Sequence, residues 1–117
     1  MEIRKFEING RQAEFVNESR GTRSGFAHDT HLFINGYNYG EATCHYLNRT
    51  WERYTYQTVM LRAVDSLEEE REARLKREFK AKKGYTNLTA KRQVEFAEYL
   101  EADEDMQFYK ALKQALR

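Results

Sequence analysis

The chain has 117 residues, of which 40% are hydrophobic and 33% are charged, with a formal net charge of +1. This length fits one domain, and the longest apolar run, 59–61, is far short of the roughly 20 residues of a membrane-spanning helix. A net charge so close to zero argues against a protein that binds polyanions in general. The first residues carry no signal-peptide pattern and Cys44 is a lone cysteine, so we expect one domain, 1–117, in a reducing cytoplasm without contact with a membrane.

Two hairpins are predicted in the first 48 residues. Residues 3–8 alternate with Phe6 and Ile8 on one side, and Asn9-Gly10 supplies the two positive φ angles of a type I′ turn. Strand character resumes at Arg11, and after a polar loop it returns in residues 26–34, where five alternate residues share the inner face: Phe26, His28, Thr30, Leu32 and Ile34.

A second Asn-Gly pair at 35–36 closes the second hairpin. The returning strand places small residues on one face, which permits close approach of a helix: Gly40, Ala42 and Cys44, followed by Tyr46. Residues 1–48 are therefore predicted to form a four-stranded antiparallel meander.

Helical periodicity begins at Trp51, and Thr50 provides a start signal. A long helix over 50–83 is predicted to pack its first turns on the sheet through Tyr56, Val59 or Met60, Ala63 or Val64, and Leu67. Its second half keeps only Leu75 and Phe79 as apolar residues, carries the ion-pair spacings Glu70/Arg74 and Glu72/Lys76, and ends at Gly84 after two lysines.

Two shorter helices are predicted within 86–117. Thr89 is a candidate cap for one, and Asp103 or Asp105 for the other. Their predicted apolar faces comprise Val94, Phe96 or Ala97, and Leu100 in the first helix, and Phe108 or Tyr109, Leu112 and Leu116 in the second. Strands followed by helices indicate an α+β fold.

The near-neutral total hides two opposed charge runs. Residues 74–92 contain eight Lys and Arg against Glu78 alone, a net of +7, and residues 95–105 carry six acids and no base, a net of −6. The basic run can bind phosphates, and the acidic run can imitate them before a basic groove. Solvated faces, or an acidic run folded back on the basic one, are the structural alternative.

Residues suited to catalysis or metal binding are few. Asp29, His31 and His45 share strand parity on the outer face but match no compact zinc spacing. Cys44 is predicted to be a buried small residue, and His45 points the other way, so no thiol nucleophile is expected. The segment 21–25 lacks the lysine and helix of a phosphate-binding loop. We therefore expect neither enzymatic activity nor a cofactor or metal, and a hydrolase using Asp29, His31 and His45 is the least favoured hypothesis.

A rim of arginines and aromatic residues is predicted where residues 18–25 meet residues 48–54. Strands two and four of a meander run in the same direction, so their ends lie at one end of the sheet. This geometry gathers a set typical of interface hot spots and of phosphate binding: Arg20, Arg23, Arg49, Trp51, Arg53 and Tyr54. The alternative is that Trp51 closes the core and the arginines pair with Glu18 and Glu52.

The runs SRGTRSGFAHD and YLNRTWERYTYQTVM resemble a group of small proteins carried by phages, plasmids and integrative elements of Gram-positive bacteria. The resemblance covers residues 6–64. Mobile-element proteins of this size include anti-CRISPR inhibitors, so the resemblance implies a bacterial host cell and an inhibitor of a type II CRISPR effector (Cas9). It implies no role for any single residue.

Two functions are expected from these observations. The first is a non-enzymatic protein that binds a host protein or ribonucleoprotein and inhibits it by occlusion or by locking a domain. Its predicted contacts are the rim and the acidic residues Glu95, Glu98, Glu101, Asp103, Glu104 and Asp105. The alternative is a nucleic-acid-binding accessory protein that uses the rim arginines and Arg74, Arg77, Lys80, Lys82, Lys83, Lys91 and Arg92.

Overall fold

The computed structural model describes residues 1–47 and 55–117. Within them, a four-stranded antiparallel sheet in the order β1-β2-β3-β4 precedes three helices, which confirms the predicted α+β meander. The elements are β1 Glu2–Ile8, β2 Arg11–Gly21, β3 Phe26–Ile34, β4 Tyr37–Tyr46, α1 Gln57–Lys83, α2 Ala90–Glu101 and α3 Glu104–Leu116.

Both predicted Asn-Gly turns have the backbone that a type I′ hairpin requires. Asn9 and Asn35 each have a φ of 51°, and Gly10 and Gly36 follow at 79° and 84°. The second turn is also tied to β2, because the Asn35 amide donates to the Gln12 carbonyl at 2.9 Å and the Asn35 side chain accepts from the Gln12 amide at 3.0 Å. These two hydrogen bonds join the second turn to β2 beside the first turn, so both turns lie at the same end of the sheet.

The main core lies between the inner face of the sheet and helices α1 and α3. Alternation along β2 and β3 places apolar residues on this face, as predicted, and the helices cover them. Ten buried residues form this sheet-side core: Ala13, Phe15, Leu32, Ile34, Met60, Val64, Phe108, Tyr109, Leu112 and Leu116.

One polar pair is buried in the same layer. Asn17 and Thr30 are opposite each other on β2 and β3, both fully buried. The Thr30 hydroxyl donates to Asn17 Oδ1 at 2.6 Å, and the Asn17 amide contacts Met60 Sδ at 3.4 Å. Because each group has a partner, the pair can be buried without the full cost of desolvation.

The second half of α1 leaves the sheet and packs on α2 and the start of α3. Leu75 and Phe79 are buried there with Phe96 and Met106, which settles the predicted alternatives of solvent or C-terminal helices in favour of the helices. We call α1 residues 71–83 together with α2 the helical arm. Glu70 and Arg74, like Glu72 and Lys76, do not come within ion-pair distance.

The helix ends differ in part from the prediction. α1 begins at Gln57, and Thr55 and Tyr56 precede it, so the predicted start is too early; residues 50–54 of that prediction lie outside the described residues. The Thr55 hydroxyl accepts from the Gln57 amide at 3.3 Å and competes locally with helical pairing. At the other end, Gly84 has the predicted left-handed conformation, with a φ of 68°.

Helix α2 packs Phe96 and Leu100 inward as predicted, but Val94, the third member of the predicted apolar face, lies outside. Phe96 is buried while Val94 is 62% exposed, because Phe96, Tyr99 and Leu100 form one helical face and Val94 lies opposite. Of the two candidate caps, Asp103 starts α3 by accepting from the Met106 amide at 3.0 Å. In residues 1–47 and 55–117, no helix combines the length and the apolar character that crossing a bilayer demands.

Candidate functional site

Two ion pairs fix the start of α3 at the base of the helical arm. Arg71 donates to both oxygens of Asp103, at 2.8 and 3.2 Å, and Arg11 donates to Asp105 at 2.7 Å. The Arg71 hydrogen bonds hold the pKa of Asp103 below its usual value. Two acids of the predicted partner surface are therefore engaged inside the molecule, by arginines outside the basic run.

The ion pair between Arg11 and Asp105 was not predicted, although the sequence contains a signal for it. Arg11 has the same strand parity as Ala13 and Phe15, so it lies on the apolar face of the sheet. A partly buried cation on such a face requires an acidic partner, which Asp105 supplies. Arg11 also lies over the Phe108 ring, with its guanidinium carbon 5.2 Å from the centroid.

The cations of residues 74–92, all exposed except the partly buried Lys80 and Arg92, form a basic row along the arm. Arg77 lies opposite the buried Leu75 and Phe79, and Arg74 and Lys80 flank it at three-residue spacing. Among the residues described, no acid lies within 4 Å of any charged nitrogen in the row. The row consists of Arg74, Lys76, Arg77, Lys80, Lys82, Lys83, Lys91 and Arg92.

Aromatic rings support two members of the basic row. The Arg92 guanidinium carbon lies 4.0 Å from the centroid of Tyr85, and the Lys82 ammonium lies 5.6 Å from that of Tyr99. The Tyr85 hydroxyl donates to Glu95 at 3.0 Å, and this bond raises the pKa of Tyr85. These contacts position the cations without neutralising them.

The acidic run divides into engaged and exposed residues. Asp103, Asp105 and Glu95 have the partners given above, whereas three others are exposed and, in the described part of the chain, have no ion pair within 4 Å. We call these three the acidic row: Glu98, Glu101 and Glu104. The acidic run therefore does not fold back on the basic one through ion pairs among these residues.

The chain was compared with protein-family models, with curated proteins and with solved structures. None of the three finds a match. The resemblance to mobile-element proteins thus stays a prediction, and a function has to be argued from the surfaces themselves.

The strand ends that the predicted rim requires do meet, although the rim itself stays a prediction. β2 and β4 end at the same end of the sheet, because Gly21 and Tyr46 both pair with Phe26. A Cβ on Gly25 would lie 2.0 Å from the Tyr46 carbonyl oxygen, so the 22–25 loop is pressed against the end of β4. The predicted contributions of Arg49, Trp51, Arg53 and Tyr54 lie outside the described residues.

The two described rim arginines differ. Arg20 makes an ion pair with Asp29 at 2.9 Å, a partner other than the Glu18 and Glu52 considered from sequence. Arg23 is exposed. Arg20 therefore has a structural role on the outer face of the sheet, and of the two only Arg23 offers an unpaired charge among the described residues.

His28 lies behind this rim, on the inner face as predicted. It is 3% exposed, and its Nδ1 is 2.7 Å from the Ser19 hydroxyl, which in turn lies 2.8 Å from the Tyr56 hydroxyl. The rings of Phe26, Tyr46 and Tyr56 surround the imidazole at 4.6 to 5.4 Å. His28 is therefore a core histidine that is hydrogen-bonded through Nδ1, whereas its buried Nε2 has no hydrogen-bond partner among the described residues.

The outer face does not assemble a metal site from its described residues. Asp29, His31 and His45 share this face, opposite Thr43, Glu41 and Ala27 respectively. Asp29 accepts from Thr43 at 2.6 Å and from Arg20, and these bonds, against the effect of burial, lower its pKa. No three His, Cys, Asp or Glu side chains of residues 1–47 and 55–117 are grouped as metal ligands.

Proposed function

We propose that this protein binds and inhibits a host nucleic-acid-processing complex without catalysing a reaction, and that the complex is a type II CRISPR effector (Cas9). What supports the proposal is that the basic row and two of the three residues of the acidic row lie on the arm, and that neither row makes an ion pair with a described residue. A partner that presents both phosphates and basic grooves complements charges of both signs. A ribonucleoprotein has both.

Inhibition in this proposal is by occupation of a surface. The carboxylates of the acidic row take the place of nucleic-acid phosphates in a basic groove, and the basic row contacts the RNA or DNA beside it. The choice of effector rests on the sequence resemblance, which covers residues 6–64. The basic and acidic rows, which make the proposed contacts, follow this segment in the chain.

A cleavage assay with purified effector, guide RNA and target DNA tests the proposal, together with a pull-down with and without guide. We expect inhibition by the wild type and a loss of about tenfold or more in the Glu98→Lys/Glu101→Lys variant. The matched control is Glu7→Lys, which reverses the charge of an exposed residue on β1. This variant should inhibit as well as the wild type. Failure to bind or inhibit effectors from several species would refute the proposal.

A second candidate is an accessory protein that binds nucleic acid directly through the basic row. The observation that favours it is the absence of ion pairs between the row and described acids. Binding should weaken steeply as salt rises, because each neutralised phosphate releases counterions. Arg77→Glu/Lys80→Glu should abolish it and Lys5→Glu, on β1, should not; salt-insensitive binding, or none to DNA and RNA, would exclude this candidate.

A further inference from the structure

We propose that the groove beside Tyr39 binds one base of a single-stranded nucleic acid whose phosphates lie on the basic row. This inference rests on the second candidate function, direct binding of nucleic acid, and names the form of the nucleic acid and the place of contact. It adds Tyr39 on β4, a residue that belongs to neither charge run.

The groove is a depression of about 410 Å³ between β4, α1 and α3. Three of its lining residues are aromatic or apolar, namely Tyr39, Leu67 and Tyr109, and four are charged, namely Glu70, Arg71, Arg74 and Asp105. It is large enough for a planar ring, and the Tyr39 ring, 49% exposed, offers a face on which a ring can stack.

The charges of the groove favour a neutral ring over an anion. Arg71 is paired with Asp103 and lies 3.7 Å from Asp105, which also accepts from Arg11. Glu70 adds a negative charge that repels phosphate. Only Arg74 remains unpaired among the described cations of the groove, so a base fits inside it and a phosphate fits at Arg74.

A β-bulge explains why Tyr39 reaches this position. Leu32 pairs with Gly40 and Phe33 pairs with Asn38, so Tyr39 is an extra residue in β4. Bulges redirect side chains away from the regular alternation of a strand. The adjacent Gly40 has no side chain, and apart from Gly40 and its two chain neighbours no atom of the described residues lies within 4 Å of the position that its Cβ would occupy, so nothing is packed against β4 at that point.

Arg74 connects the groove to the basic row. Arg77 and Lys80 follow it on the same side of α1, with a helical rise of about 4.5 Å between successive members. A strand that leaves the groove therefore passes along three cations. A duplex keeps its bases paired and stacked, so it can reach the cations but cannot place a base on Tyr39.

Fluorescence anisotropy with an oligothymidylate of about 20 nucleotides and a duplex of equal length tests the inference. We expect the full-length protein to prefer the single strand. Tyr39→Ala should weaken that binding by roughly 5- to 100-fold without changing its salt dependence. Arg74→Ala should reduce the slope of log affinity against log salt by about 0.7.

Tyr37→Ala is the matched control, because Tyr37 lies on the same hairpin, is 74% exposed and does not line the groove. Tyr39→Trp should preserve binding, and thermal unfolding checks that each variant folds. Salt-dependent binding with no preference for single strands would refute base binding in the groove but not the second candidate function. Equal losses of affinity in Tyr39→Ala and Tyr37→Ala would do the same. Absence of any nucleic-acid binding would overturn both the groove and the second candidate function.

Discussion

The sheet-side core and the helical arm differ in how much they bury and how much charge they expose. Among the described residues the sheet-side core has ten buried members from strands and helices, whereas the cluster between the arm and α3 has four, all helical, of which three belong to the arm. The arm carries the whole basic row and most of the acidic row. Stability is therefore concentrated in one region and the candidate binding surfaces in the other.

The largest expected effect is in the sheet-side core. Phe15 is fully buried and packs edge to face against Phe6. Phe15→Ala should lower the free energy of unfolding by about 3 to 5 kcal/mol, because it removes the contacts of a whole ring and leaves a cavity. Chemical denaturation followed by circular dichroism measures this loss; a change below about 1 kcal/mol would show that this region is not the main core.

Phe79→Ala should have a smaller global effect, although Phe79 is also buried and contacts the rings of Tyr85, Phe96 and Tyr99. We expect the arm to open locally, because it buries fewer residues than the sheet-side core, and the loss of global stability is then limited by the free energy of that opening. Hydrogen exchange should accelerate in α2 while β2 and β3 stay protected. Equal acceleration in the sheet would mean that the two regions form one cooperative unit.

Asp103 joins the two regions, since it caps α3 and holds Arg71. Asp103→Ala should cost about 1 to 2 kcal/mol. The hydrogen bonds from Arg71 lower the pKa of Asp103 in the folded state. The stabilisation is therefore complete at a pH above the pKa that Asp103 has in the unfolded chain, and it is lost as the pH falls through the lower pKa of Asp103 in the folded state. The difference from wild type should shrink below about pH 4.

Asp103→Asn separates the cap from the charge, because asparagine also caps helices well. It should retain part of the lost stability and show little of the acid dependence. A variant as unstable as Asp103→Ala would assign the whole effect to the ion pair.

The smallest effect is expected at Lys113, which ties α3 to α1 on the sheet side. Its ammonium lies 2.6 Å from Asp65 and 3.4 Å from Glu68, and the Asp65 bond raises its pKa. Lys113→Met should cost about 0.5 to 1 kcal/mol at neutral pH, a loss that disappears as pH rises above about 10.5. Lys110→Met, exposed on the same helix, should be neutral; equal losses would rule out a specific ion pair.

Local signals in the sequence were sufficient for most of the fold. The Asn-Gly turns set the hairpins, alternation set the inner face, and Gly84 ended α1. Val94 was misplaced because a 12-residue helix with apolar residues at 94, 96, 97 and 100 supports two faces, and only contact with Phe79 selects Phe96. The start of α1 was placed too early because helical spacing continues through Tyr56 without a strong cap.

The candidate site was predictable in composition but not in geometry. The charge runs identified the arm, but sequence could not show that Asp103 and Asp105 are paired with Arg71 and Arg11, which are 32 and 94 residues away. The groove was not predicted because Tyr39 reaches it only through the β-bulge in β4. The inward and outward alternation of residues continues before and after the bulge, so the sequence of the strand gives no reliable signal for it.

The meander also has a kinetic consequence, since each strand pairs with its neighbour along the chain and the chain contains no proline. Hairpins of this kind form in about 1 to 10 μs, whereas prolyl isomerisation delays refolding by tens of seconds or more. Refolding of this chain after dilution from denaturant should therefore lack that slow phase, and a prolyl isomerase should leave its rate unchanged.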